Sequence, residues 1–109
     1  MNAKLNDIQN WPELAQKAAW SVSSLSKLCH VSTRTLERFF VKQKGISPGK
    51  WLKEQRQEKA LELLRNSSTV KEAAYLLHYK YANNFTRGFK QFYGKSPRIE
   101  MQMIVKKNV

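Results

Sequence analysis

In 109 positions the sequence holds one cysteine, four glycines, three prolines and only eight acidic residues. Each scarcity closes off a class of explanation. A single cysteine, Cys29, rules out an internal disulfide and a cysteine-rich zinc site, so the basic charge is not that of a zinc finger. So little glycine and proline favours helices over a turn-rich β fold. No run approaches the ~20 apolar residues that a membrane-spanning helix needs. The opening stretch, Met1 to Asp7, is polar and leads into no signal-peptide pattern, so the expected location is the cytoplasm. Paired acids, a phosphate-binding loop and a metal-ligand cluster are also missing. Cys29 and His30 are neighbours, but no third group completes a nucleophile–base arrangement. Neither catalysis, nor a metal, nor a cofactor is expected.

What the chain has in excess is positive charge. Twenty Lys and Arg against eight acids give a formal net charge of +12. Self-repulsion of that size destabilises a compact chain, so a folded domain carrying it is expected to face a polyanion. Nucleic acid comes first and an anionic membrane surface second. With 41% hydrophobic and 11% aromatic residues, a core can form and a disordered basic tail is excluded.

The chain also repeats itself. Leu36, Arg38, Phe40, Gly45, Ser47 and Pro48 recur as Phe85, Arg87, Phe89, Gly94, Ser96 and Pro97, each 49 residues later. Upstream the offset falls to 48, pairing Ser26 with Ala74, Leu28 with Leu76 and His30 with His78. The change of one residue predicts a longer turn in the second copy.

Each copy parses as helix, short turn, helix, stop. In the first, Ser23 or Ser24 caps a helix ending near Cys29 or His30. Ser32 caps the next, whose Leu36, Phe39 and Phe40 form one apolar stripe, and Gly45 closes it. In the second, Thr69 and Glu72 make a capping box. A helix carrying Phe85, Phe89 and Phe92 then follows and closes at Gly94. Ser47-Pro48 and Ser96-Pro97 each read as an N-cap followed by proline in the first turn. A long helix from Pro48 to about Leu64 joins the copies, and two further helices fit Pro12 to about Ala19 and Pro97 to about Val105. The tail from Lys106 onward is expected to fray. The expected fold is all-α, with seven helices and no strand.

Stepping at about 100° per residue from Leu36, Arg34 and Arg38 fall about 160° away, on the far side of the helix, with Glu37 beside them. From Phe85, Asn83 and Arg87 take the same two places, with Asn84 alongside and Lys90 close by. Arg can donate two parallel bonds to guanine O6 and N7, Asn can pair with adenine, and Glu can accept from cytosine N4–H. Arg34, Glu37, Arg38, Asn83, Asn84 and Arg87 are therefore the candidate readers of base edges. Ser32, Thr33, Thr86 and Lys90 are candidates for contact with the DNA backbone.

With these residues placed, the sequence resembles the DNA-binding domain of the AraC/XylS family of bacterial transcription regulators, over roughly Val22 to Pro97. The run Phe85-Thr86-Arg87-Gly88-Phe89-Lys90, continued by Phe92-Tyr93-Gly94-Lys95-Ser96-Pro97, carries most of the likeness. Ser32, Leu36, Arg38, Phe40, Gly45, Ser47 and Pro48 carry it in the first copy, with Arg56 and Ala60 between. The resemblance implies one domain over 1–109: lobe one about 11–46, a connecting helix about 48–64 and lobe two about 67–105. It also implies a reader helix from each lobe in successive major-groove segments of double-stranded DNA.

There are departures. Histidine stands at His30 and His78 where the family has a turn glycine, Gln57 replaces a large apolar residue, and Tyr81-Ala82 opens the second reader in place of small polar residues. Most members carry a separate ligand-binding or dimerisation domain, which is not seen here. The expectation is thus a short regulator without a small-molecule ligand, monomeric on DNA and associated with the nucleoid. Glu54, Glu58 and Glu62, at i, i+4 spacing, read first as a solvated face and second as a surface for RNA polymerase.

Overall fold

The computed structural model describes residues 3–66 and 68–107, and all regular secondary structure among them is α-helical. In chain order the helices are α1 (Ala3–Asn6), α2 (Trp11–Lys17), α3 (Val22–Leu28), α4 (Thr33–Lys44), α5 (Pro48–Arg65), α6 (Val70–Leu76), α7 (Ala82–Tyr93) and α8 (Pro97–Lys107). The seven expected helices are α2 to α8. The single turn α1 is additional, and Leu5 within it is only 1% exposed, packed into the first core. One apolar anchor in a polar stretch has no periodicity to announce it.

Two compact units divide the chain, Met1–Arg56 and Gln57–Val109, and the division falls inside α5. The internal repeat is visible in both. The helices α3 and α6 have seven residues each, and α4 and α7 have twelve each. Four residues separate α3 from α4 and five separate α6 from α7, which is the longer second turn that the offsets implied.

In the first unit, Trp11 packs edge-on to Phe40 at 5.1 Å and to Trp51 at 6.3 Å, and Phe40 lies 5.2 Å from Trp51. Leu25, Leu36, Phe40 and Leu52 complete this core at 0–1% exposure. Burying a large apolar side chain to that extent contributes ~1.5–3 kcal/mol each, so these few residues hold the lobe. The expected caps are present at Ser32, whose hydroxyl accepts from Thr35 N–H at 3.1 Å, and at Ser47, which accepts from Lys50 N–H at 3.2 Å. Gly45 closes α4 at φ 73°, a conformation that glycine adopts without steric cost.

Two local readings are corrected. The cap of α3 is Ser21, which accepts from Ser24 N–H at 3.3 Å, in place of Ser23 or Ser24. Helix α2 stops at Lys17 and not near Ala19, because Ala19 (φ 52°) and Trp20 (φ 58°) both turn left-handed and lead directly into α3. The Arg56 guanidinium sits 6.0 Å from the centroid of the Trp20 ring, which helps hold that turn.

In the second unit, Ala60, Leu64, Ala73, Ala74, Leu77, Phe85 and Phe89 are buried. Phe85 stacks 5.4 Å from Tyr79 and 5.8 Å from Phe89, and Tyr93 follows 4.7 Å from Phe89. Thr69 caps α6 by accepting from Glu72 N–H at 3.0 Å, and Ser96 caps α8 by accepting from Ile99 N–H at 3.3 Å. Phe92 is a correction: it is 41% exposed and not part of the buried stripe. It lies in the last turn of α7, where Tyr93, 4.7 Å from Phe89, packs against the core instead. Helix α8 runs through Lys107, beyond the expected end near Val105, while Asn108 and Val109 lie outside the described residues. Near its start, Lys95 Nζ lies 2.8 Å from Glu100 Oε2 and pairs with this buried carboxylate.

Gln57 is also buried, at 2% exposure, and its amide donates to the Tyr79 hydroxyl at 3.4 Å while Oε1 has no hydrogen-bond partner among the described residues. A Cβ on Gly88 would lie 3.6 Å from that amide nitrogen and 3.7 Å from the Tyr79 hydroxyl oxygen. A polar residue at position 57 is thus accommodated by a hydroxyl from the α6–α7 turn, beside Gly88 of the reader helix.

Candidate nucleic-acid interface

Each reader helix is built as an amphipathic rod. On α4, Leu36 and Phe40 are completely buried, Phe39 is half-buried, and Arg34, Glu37 and Arg38 are exposed. On α7, Phe85 and Phe89 are completely buried while Asn83, Asn84, Arg87 and Lys90 are exposed. Residues two positions either side of an inward residue leave on the opposite face, so within each lobe the inner anchor fixes which side chains face solvent. All six candidate base readers are accessible.

Charge pairing leaves the arginines available. Lys59 pairs with Glu62 and Lys95 with Glu100, and no ion pair among the described residues involves Arg34, Arg38 or Arg87. Glu37 likewise has no ion-pair partner there, so it does not lock Arg34 or Arg38 in place. An unpaired guanidinium keeps its full set of donors for an external acceptor.

The hydroxyls are already engaged locally. Ser32 Oγ caps α4 and also lies 3.0 Å from Thr35 Oγ1. Thr86 Oγ1 donates back to the Ala82 carbonyl at 3.2 Å, so its proton is spent within the helix. Thr33 and Lys90 are exposed.

The N-termini of the two reader helices differ. Ser32 gives α4 a side-chain cap, whereas Tyr81, at φ −131° and ψ 139°, precedes α7 with no side-chain cap bond. The turns before them match. His30 at φ 57° and His78 at φ 64° both occupy the left-handed region, the strained turn expected where histidine replaces glycine.

Sequence reasoning missed some neighbours of Arg38. It shares a shallow pocket of about 160 Å³ with Asn6, Thr35, Phe39, Lys42 and Gln43. Lys42 was legible, lying four residues beyond Arg38 on the same face, but Asn6 arrives through the packing of α1 and left no local signal. Cys29 lies in the core, where burial pushes its thiol pKa up from the ordinary value and disfavours the reactive thiolate.

Comparison with known proteins agrees with this geometry. Residues 25–100 match a family model described as a helix-turn-helix domain. The chain is 33% identical over 100 residues to the HTH-type transcriptional activator RhaS of Salmonella arizonae, covering 89% of this chain and 35% of that protein. It therefore spans about a third of the length of the curated relatives it matches. Among solved structures, the C-terminal domain of the two-component response regulator yesN from Fusobacterium nucleatum superposes with a TM-score of 0.75 at 30% identity, covering 93% of this chain and 99% of that one. An AraC-type DNA-binding domain-containing regulator from Chromobacterium violaceum gives 0.72 at 23% identity, covering 84% and 86%, and supports the fold. The matched model covers the whole repeat, from the buried Leu25 to the buried Glu100, and the chain belongs to the AraC/XylS family of helix-turn-helix domains.

Proposed function

We propose that this chain binds duplex DNA sequence-specifically, one reader helix from each lobe entering successive major-groove segments, and thereby regulates transcription. The observation that carries the reading is the pairing, on both α4 and α7, of a buried aromatic anchor with an exposed arginine that has no carboxylate partner. Arg34, Arg38 and Arg87 read guanine edges, Asn83 and Asn84 read adenine, and Glu37 accepts from cytosine. Ser32, Thr33 and Lys90 position the helices on the sugar-phosphate backbone through main-chain and side-chain donors, while Thr86, its hydroxyl proton held by the Ala82 carbonyl, lies beside them without a donor to give. The name of the relative RhaS, a transcriptional activator, supports the regulatory role.

Two lobes on one chain read two half-sites without a second copy, so a monomer suffices on DNA. Glu54, Glu58 and Glu62 on α5 are the acidic surface that RNA polymerase would meet, although Glu62 is already paired with Lys59 at 3.2 Å. No helix among the described residues is long and apolar enough to cross a membrane, in keeping with action in the cytoplasm at the nucleoid.

The test is selection of preferred duplexes from a random pool, followed by competition at one salt concentration. A preference of ~10³ or more over random duplex is expected of a regulator. A preference under about tenfold would instead describe an architectural protein held by phosphate contacts alone.

A further inference from the structure

Lobe two has a second cationic feature that the reader helix does not include. A groove of about 880 Å³ opens beside the first residue of α7, Ala82, and is lined by Val70 and Lys71 of α6 and by Arg98 and Met101 of α8. Its floor is apolar carbon, from Val70, Ala82 and Met101, and Lys71 and Arg98 bring two positive charges to it from separate helices. No acidic residue lines it, and neither cation forms an ion pair with an acid among the described residues.

We propose that this groove seats one strand of the DNA backbone. Deoxyribose carbons rest on the apolar floor, and two successive phosphates are held by Lys71 and Arg98. Two arguments select this occupant. The charge is complementary to a polyanion with apolar sugars between its charges. The groove is also continuous with the reading surface, because Ala82 adjoins Asn83 at the end of α7 that carries the candidate adenine contacts.

The repeat shows that this is a property of lobe two alone. At the 48- and 49-residue offsets, the counterparts of Lys71 and Arg98 in lobe one are Ser23 and Gly49. Both positions are exposed there, and neither residue carries a charge. Lobe two thus combines amide-rich base reading with its own sequence-independent grip. This inference rests on the DNA-binding reading above and deepens it.

The experiment compares the full chain with its Lys71→Ala/Arg98→Ala double variant, on a pool-selected duplex and on a scrambled duplex of equal length, from 50 to 200 mM salt. At about 0.9 counterions per phosphate, losing two contacts makes the salt dependence shallower by ~1.8 in log–log slope. Over that fourfold salt range the wild type should then weaken about 12-fold more than the variant. The loss at low salt should be the same factor on both duplexes, and Lys71→Arg/Arg98→Lys should retain wild-type behaviour.

An unchanged slope overturns the proposal, whatever else binds in the groove, and so does a loss confined to the selected duplex. Both variants must keep the wild-type melting temperature. Should melting shift, the single Lys71→Ala variant, expected to lose ~0.9 of slope, decides the matter. Failure of base reading shows up separately, as a wild type that does not prefer the selected duplex at all.

Discussion

In lobe one the reader helix begins on Ser32, whose hydroxyl holds Thr35 N–H at 3.1 Å, and it carries Arg34, Glu37 and Arg38 outward. In lobe two the corresponding helix begins on Tyr81 without a side-chain cap and carries Asn83, Asn84 and Arg87. The hidden sides are nearly interchangeable, with Leu36 and Phe40 in one and Phe85 and Phe89 in the other, all at 0% exposure. What was duplicated is the scaffold: helix lengths, glycine stops, Ser-Pro starts and left-handed histidine turns. What diverged is the exposed face. A core tolerates few changes of volume, whereas a solvent-facing side chain can change with little effect on folding, so the two lobes keep one fold and are free to prefer different bases.

The comparison can be broken most forcefully from within. Phe40→Ala and Phe85→Ala should each cost ~3–5 kcal/mol of stability, measured by thermal or urea denaturation. Equal losses would confirm that the two anchors serve the same purpose, and a loss under about 1 kcal/mol in either lobe would break the equivalence. Next comes the cap that only lobe one possesses. Ser32→Ala should cost about 1 kcal/mol, because it frees a backbone N–H at the start of α4. Its mirror, Tyr81→Ser, supplies the missing cap to α7 and should stabilise by ~0.5–1 kcal/mol, and a destabilisation would show that the Tyr81 ring contributes more than a cap would. Smallest is the turn. His30→Gly and His78→Gly each relieve a left-handed non-glycine residue and should raise stability by about 0.5 kcal/mol, the steric gain being partly offset by glycine's greater unfolded-state entropy. A loss in both would mean that the imidazoles make contacts worth more than the strain they cause.

The repeat made most of the helical plan legible from spacing alone, because caps and stops are local chemistry: a serine before proline, a glycine after an apolar stripe. Selection among equals was not legible. Ser21, Ser23 and Ser24 are all competent caps, and the one used is decided by the left-handed turn at Ala19 and Trp20 just before it. Phe92 belongs to an apolar series by sequence, yet in the last turn of α7 it is exposed and Tyr93 packs on Phe89 in its place. The outward faces of α4 and α7 followed from helical periodicity because each has a single buried stripe. Asn6 beside Arg38, and the meeting of Lys71 with Arg98, come from packing between segments distant in the chain, which no local pattern encodes.

The decisive measurement is repeated selection of duplexes from a random pool by the wild type and by the Arg38→Ala and Arg87→Ala variants. Each substitution should cost ~1–3 kcal/mol on the wild-type site and relax the selected sequence at one position, the two positions lying in different halves of the site. If both variants bind every sequence more weakly by the same factor, and the selected sequence is unchanged, then the arginines hold phosphates and the two-lobe reading of bases is wrong.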